Sequence, residues 1–595
     1  MRFPAQLWSR AQPTLSTAPT AVQAGLHREH DERADEGESR PTRSSALSPA
    51  VAAVAAVAVV LVVAGLAWCY FRVSWTVAPN SDGPANALQA QDLLRGNLLL
   101  RGWTLTDVSF YTTELWEYAA IEVVRSVGRS LSVGIGVVHT AAAVTYALLV
   151  LLAGLLARGR ARSGQGLARA LVATGIMLAP QLGYGAFVLL LSPDHVGTEV
   201  PLLFGWLVLD RAPRRWYVVG FTGLLLAWVQ VADRGALLAA VLPLTVVCVV
   251  RAAAGWRRAA AWFEASLAAA AVASAAVAWA VTVLIRVNQG YVQYPIPADG
   301  SALSLLPVHL KLTALGVAQL YGADFAGISG APAIFFAAVH CAGLAVAVVS
   351  FAVALARLRR LDLVEQVLVA AIVCSVASYA LSATPGVTFG TGYGAREMAA
   401  VLPLGAALAG RMTGPLLLGR VRQAAAAAVL AGYVAALLYS AAQPAVPGPQ
   451  AALAQFLLSR HLTTGLASRN SQLLTVESGE RLDMLVSYAP GGRVRGVLYQ
   501  SKASDYDPRT HYADFVVAEV PLDARPASSD EISVAETLAT FGPPAREYYY
   551  GGDTILVYRQ NLLNQLPPPQ PRGSINAPGR CRIVSLLSCW ADAGS

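Results

Sequence analysis

Val51 to Tyr70 reads VAAVAAVAVVLVVAGLAWCY, and Asn80-Ser81-Asp82-Gly83 follows shortly after it. The first stretch carries no charge and reaches the ~20 apolar residues that a helix needs to cross a bilayer. The second is a polar tetrapeptide at its exit. Ala85 to Gly96 (ANALQAQDLLRG) then reads as a short amphipathic helix, and the next apolar run begins only near Leu131. A carboxylate at the end of a membrane helix, beneath a helix lying at the interface, points to chemistry at the membrane surface.

Working outward, composition sets the class. The 595 residues are 55% hydrophobic and 13% charged, against ~25% charged in soluble domains. The apolar residues cluster into runs, as in a polytopic membrane protein. The net charge of +8 does not call for nucleic acid, because the arginines sit at helix ends where membrane topology needs them. Residues 1–48 are polar and mixed in charge and read as a disordered cytoplasmic tail. With that tail in front, the first apolar run reads as a retained anchor rather than a cleaved signal peptide.

The ~20-residue criterion gives about eleven spans: roughly 49–71, 131–157, 167–191, 196–210, 216–232, 235–251, 263–286, 333–356, 364–383, 397–412 and 422–441. Arginines follow every even-numbered span: Arg158 and Arg160, Arg211 and Arg214, Arg251 and Arg257, Arg357 and Arg359, Arg411 and Arg420. The odd-numbered exits are not Arg-rich. The positive-inside rule then predicts a plasma-membrane protein with its N-terminus in the cytoplasm and its C-terminal region outside. The long loops, first of all 72–130 and later 287–332 and 384–396, fall on the outer face. The short basic inner loops carry no Walker-type glycine loop, which argues against ATP-driven transport by this chain.

Beyond the transmembrane region (49–441), residues 442–565 change character and read as a small extracytoplasmic α/β domain. A helix is expected over Ala451–Ser468 and another over Ser528–Phe541. Strands are expected at Leu473–Glu477, Leu482–Tyr488 and Asp514–Val520, with a hairpin turning at Gly551-Gly552-Asp553. Residues 566–595 form a Pro-rich tail. Of the six cysteines, Cys581 and Cys589 in that tail could pair in an oxidising compartment. No Cys/His spacing resembles a zinc site.

The outer face collects the reactive groups. The first loop holds Asp82, Asn86, Gln89, Asp92, Arg95, Trp103, Asp107, Glu114 and Glu117; the second holds Asp194, His195 and Glu199. Asp233 and Arg234 follow in the third, and Tyr393, Arg396 and Glu397 come late. Each has a plainer alternative. Asp82 would also serve as a helix cap, and Asp92 with Arg95 as a surface ion pair. Trp103 and Trp116 suit an aromatic belt as well as a sugar platform, and His195 suits a turn. Arg396, near hydrocarbon, wants an anionic partner such as a lipid phosphate or Glu397.

The order of these features resembles the GT-C superfamily of integral-membrane glycosyltransferases, which use polyprenyl-phosphate-linked sugars. The resemblance rests on the acidic first loop (NSDGPANALQAQDLLRGN), the polar second-loop turn (SPDHVGTEV) and a late basic position (GYGAREMAAVLPLGAALAGR). The C-terminal part (HYADFVVAEV, YYYGGDTILVYRQNLL) is similar to the outer domain of a group of uncharacterised bacterial membrane proteins of this sort. The implied fold is an all-α, GT-C-like polytopic bundle with a small C-terminal α/β domain. By resemblance, Asp82 would activate the acceptor hydroxyl or help bind a divalent cation. Many relatives carry paired acidic residues here, whereas Ser81 and Gly83 flank Asp82, which argues against a metal. Arg396, with Arg234 second, would hold the donor phosphate, and Asp194, His195, Glu397 and Trp103 would complete the substrate site. The implied partners are a polyprenyl-phosphate sugar, an envelope glycan, lipid or protein acceptor, and the bilayer. A non-enzymatic reading, a lipid or polysaccharide translocation component or an assembly scaffold, explains the apolar core equally well. It leaves the gathering of carboxylates and arginines on one face without a role.

Overall fold

The structure, a computed structural model, describes residues 49–127, 132–161, 164–255, 259–294, 303–325, 328–382, 384–386, 394–468, 470–489, 492–519 and 531–571. The tail expected over 1–48, and Cys581 and Cys589, lie outside them. The chain divides into a unit at 1–58 and a unit at 59–595. The first holds the opening turns of helix α1 (Pro49–Ser74), and everything below concerns the second.

In chain order the membrane part comprises α2 (Asp82–Leu94), strand β1 (Trp103–Leu105), α3 (Glu114–Arg125), α4 (Ile135–Arg158), α5 (Gly164–Met177), α6 (Tyr184–Leu190) and α7 (Glu199–Arg211). It continues with α8 (Trp216–Ala232), α9 (Leu242–Ala254, entered through a π-helical turn), α10 (Ala259–Val287), β2 (Val292–Gln293) and α11 (Leu306–Leu320). The last members are α12 (Ala331–Ala356), α13 (Leu363–Leu381), α14 (Val401–Thr413) and α15 (Arg420–Ala441). Among the described residues, seven helical segments are long and apolar enough to cross a membrane, and Val60–Ser74 and Trp216–Ala232 are shorter apolar helices. This is an all-α polytopic bundle.

Several expected spans are interrupted. The run 167–191 breaks between α5 and α6, where Pro180 lacks the N–H that a continuing helix needs and Gly183 takes a φ of 82°. The runs at 196–210 and 397–412 become helices of only 13 residues. The expected loop 287–332 contains α11. His309 Nδ1 of α11 lies 3.3 Å from the Ala380 carbonyl at the end of α13, and Tyr321 at its other end donates to the Val401 carbonyl at 3.3 Å. The following helix α12 starts at the same end of the bundle as α11, with Phe336 against Tyr439 near the end of α15. Helix α11 therefore enters the bundle from the end at which α12 also begins.

The two ends differ in chemistry. At one, the arginine end, the Arg411 guanidinium lies 2.9 Å from Asp210 and 3.1 Å from Asp362, and Nε donates to the Leu156 carbonyl at 3.0 Å. At the other, the loop end, α2 and α3 lie against α4 and carry the α/β part. That part holds α16 (Ala451–Ser459), β3 (Thr464–Ala467), α17 (Ser471–Glu477), β4 (Asp483–Tyr488), β5 (Arg495–Leu498), β6 (Ser501–Lys502) and β7 (Phe515–Glu519). It closes with α18 (Val534–Phe541), β8 (Arg546–Tyr550), β9 (Asp553–Val557) and β10 (Gln570–Pro571). The sheet order is β10-β5-β4-β3-β7-β9-β8. The helix expected over 451–468 stops at Ser459, and the strand expected at 473–477 is α17. The reason is topological: β3 and β4 are parallel neighbours, and a parallel pair needs a crossover, here supplied by α17.

This sheet part is fastened to α2. Strand β1 pairs with β6 and with β2. Lys502 Nζ donates to Asp92 at 2.7 Å, Trp103 Nε1 donates to the same carboxylate at 2.9 Å, and Gln91 donates to Glu480 at 2.6 Å. Asp92 and Arg95 therefore do not form the pair expected from their spacing; Arg95 meets Glu480 at 3.2 Å.

Candidate functional site

Helix α2 begins with Asp82, and Ser81 occupies the cap position without a side-chain capping bond. A carboxylate in a first helical turn is favoured by the helix dipole. Asn80 and Asp82 lock one another: Asn80 Nδ2 donates to Asp82 Oδ2 at 2.7 Å, and the Asp82 N–H donates to Asn80 Oδ1 at 3.2 Å. Gly83 lets this turn press on the bundle. A Cβ there would stand 2.6 Å from Val138 Cγ1, 3.1 Å from Ser192 Cβ and 3.3 Å from the Tyr118 hydroxyl.

One turn along the same face, Asn86 Nδ2 donates to Asp194 Oδ1 at 2.8 Å, while Ser192 Oγ donates to Oδ2 at 2.9 Å. Arg396 Nη2 donates to Ser192 Oγ at 2.7 Å and to the Asp194 carbonyl at 3.0 Å. Both Asp194 and Arg396 are buried, at 2% and 3% exposure. Burial pushes the Asp194 carboxyl above its ordinary range, Arg396 pulls it down, and the nearby Asp82 charge pushes it up again. Asp82 itself remains half-exposed. The Tyr118 hydroxyl beneath Gly83 is buried without a hydrogen-bond partner among the described residues.

A second cluster adjoins the first through His195. Its Nδ1 lies 3.2 Å from Asp233 Oδ2 and its Nε2 lies 3.6 Å from Glu397 Oε1. Burial disfavours the imidazolium, but Glu397 and Asp233 outweigh it and raise the pKa to about 10. The two carboxylates beside its ring therefore favour the imidazolium over the neutral imidazole. It holds a φ of 64°, and Phe110, whose ring meets it edge-on at 5.1 Å, holds 51°. Two non-glycine residues in the left-handed region side by side are a local strain of the kind concentrated at functional sites. Exposed Arg234 donates to Gln293 at 3.1 Å, and Gln293 donates to the Asp107 carbonyl at 3.3 Å. Glu114 of α3 pins the second-loop turn by accepting from Thr198 at 2.9 Å, and burial raises its carboxyl to about 7.

Asp82, Asp194 and Arg396 are therefore brought together, and His195, Glu397 and Asp233 form the adjoining group with Arg234 at its edge. Trp103 is not part of either. It is 7% exposed and bonded to Asp92, ten residues or about 15 Å along α2 from Asp82. It belongs to the docking of the sheet and offers no free face to a sugar. Sequence reading did not single out Ser192, Phe110, Tyr118 or Gln293. The Ser-Pro-Asp turn offered a signal for Ser192; nothing local marks the other three.

Asp194 is a poor ligand for a divalent cation. Both Asp194 oxygens are taken by Asn86 and Ser192, and Arg396 places positive charge beside them. Among the described residues no three His, Cys, Asp or Glu side chains converge to hold a metal.

No family model matches the chain, and no curated protein does. Among solved structures, it is similar to the crystal structure of the Archaeoglobus fulgidus oligosaccharyltransferase in the apo form, at 13% identity and a TM-score of 0.40, over 77% of this chain and 69% of that one.

Proposed function

We propose that the protein is an inverting membrane glycosyltransferase, moving a monosaccharide from a polyprenyl-phosphate donor to a cell-envelope acceptor at the loop end of the bundle. The supporting observation is the half-exposed Asp82 carboxylate beside a buried, arginine-pinned Asp194, on a turn held down by Gly83. A hydroxyl is a poor nucleophile near neutral pH. Asp82 accepts its proton as the hydroxyl oxygen bonds to the anomeric carbon, and the lipid phosphate leaves with the bonding pair. The carboxylates of Asp233 and Glu397 favour the protonated form of His195, so the base role goes to Asp82. Arg396 is committed to Ser192 and Asp194, so its part is to hold the second-loop turn. Arg234, exposed at the edge of the His195 group and bonded to Gln293, is the candidate for the donor phosphate, and the half-exposed Glu397 for acceptor hydroxyls. The arginine end would face the cytoplasm of a plasma-membrane protein, with the α/β part outside.

The test uses purified protein in nanodiscs, a set of polyprenyl-phosphate sugars and envelope extracts as acceptor. Wild type should transfer label. Asp82→Asn should fold equally well and transfer about 10²–10⁴-fold more slowly, and Arg234→Gln should chiefly raise KM for the donor. Undiminished transfer by Asp82→Asn removes the base from this scheme.

A further inference from the structure

A cavity of about 1170 Å³ opens at the arginine end, between α9, α10, α12 and α13. This exceeds the usual volume of a small-molecule pocket, ~300–1,000 Å³. Its walls are the apolar flanks of membrane-spanning helices. Val246, Val250 and Leu355 line it and are 48%, 62% and 50% exposed, so it opens toward the side that faces lipid. An apolar hollow does not hold water, and in a bilayer an acyl chain is the material at hand.

The rim is different. Arg214, Arg251 and Arg359 stand at its end, on three separate elements. Arg251 is already neutralised, with Nε on Glu264 at 2.7 Å and Nη1 on Gln366 at 3.0 Å. Arg214, in the link between α7 and α8, and Arg359, in the turn after α12, are exposed and form no ion pair among the described residues. Two uncompensated guanidiniums above an apolar slot complement one molecule: a phosphate head carrying hydrocarbon chains. Basic pockets between membrane helices are known to select anionic lipids in this way.

We infer that this cavity is a binding site for an anionic phospholipid, its phosphate between Arg214 and Arg359 and an acyl chain along α9 and α12. The site lies at the opposite end of the bundle from Asp82 and does not depend on the proposed transfer reaction.

The experiment places wild-type protein in nanodiscs of mixed phosphatidylcholine and phosphatidylglycerol and counts retained lipids by native mass spectrometry. Wild type should retain phosphatidylglycerol selectively. Arg214→Gln with Arg359→Gln should lower that selectivity roughly tenfold or more. Ala370→Phe, which fills the slot without touching charge, should lower retention of both lipids. Unchanged selectivity in the charge variant, or unchanged retention in Ala370→Phe, overturns the site. Should the charge variant not fold, raising salt on the wild type decides. Selective retention should fall with salt, and retention indifferent to salt counts against the guanidinium rim.

Discussion

At position 83 a methyl group would have no room, because Val138 of α4 and Ser192 of the second-loop turn close on it from two sides. Gly83→Ala must push the start of α2 away from α4 or force Val138 from its rotamer. Overpacking of this kind costs about 1–3 kcal/mol, and here it also displaces the neighbouring Asp82 carboxylate. The variant should melt earlier in detergent and lose more transfer activity than its remaining folded fraction accounts for. Wild-type melting together with wild-type transfer would show that the close approach is dispensable. Asp82 was legible in the sequence because a charged residue at the end of an apolar run stands out. The demand on Gly83 was not, since it comes from side chains remote in the chain. Arg396 was legible as a buried cation in need of an anion. That its hydrogen bonds go to Ser192 and the Asp194 carbonyl depends on how the second loop folds back, which no local pattern encodes.

Helix α2 is held at both ends, by Gly83 at the bundle and by Lys502 at the sheet. Burial pushes the Asp92 carboxyl up, yet bonds from Lys502, Trp103 and Asn97 outweigh it and hold its pKa below the ordinary value of 3.8. A depressed carboxylate contributes stability above the unfolded pKa and loses it as pH falls through the folded one. Docking of the sheet on α2 should therefore be fully present at neutral pH and weaken only below about pH 4. Lys502→Met leaves Asp92 mostly buried without its cation, at a cost of about 2–3 kcal/mol, less than for a fully buried pair because Lys502 keeps some solvent. Hydrogen exchange at β1 and β6 should rise in that variant at neutral pH. Exchange equal to wild type would mean the ion pair does not hold the two parts together. The i, i+3 spacing of Asp92 and Arg95 suggested a local pair. Their actual partners, Lys502 and Glu480, lie some four hundred residues away, where spacing rules are blind. The same blindness explains α17: its short run LLTVE suits a strand locally, and only the parallel pairing of β3 with β4 makes it a crossover helix.

Over the whole molecule the apolar runs and the alternating arginines were legible, because membrane insertion is itself read from local hydropathy and charge. Helix α11 escaped, being less apolar than its neighbours. The arginine end also carries a constraint that composition hides. Arg411, 2% exposed at its side chain, joins Asp210 of α7, Asp362 at the cap of α13 and the last turn of α4. One guanidinium thus ties four helices. Its removal leaves Asp210, 8% exposed at its side chain, without a cation, whereas half-exposed Asp362 can rehydrate. Arg411→Met should cost about 3–5 kcal/mol, the range for a broken buried pair. Arg411→Met with Asp210→Leu should recover much of that loss, since the stranded charge goes too. Thermal melts of both variants in one detergent test the argument. A double variant no more stable than the single one would place the cost in lost packing rather than in an orphaned carboxylate. Because Arg411 lies at the far end from Asp82, the folded fraction of either variant should keep the wild-type KM for donor.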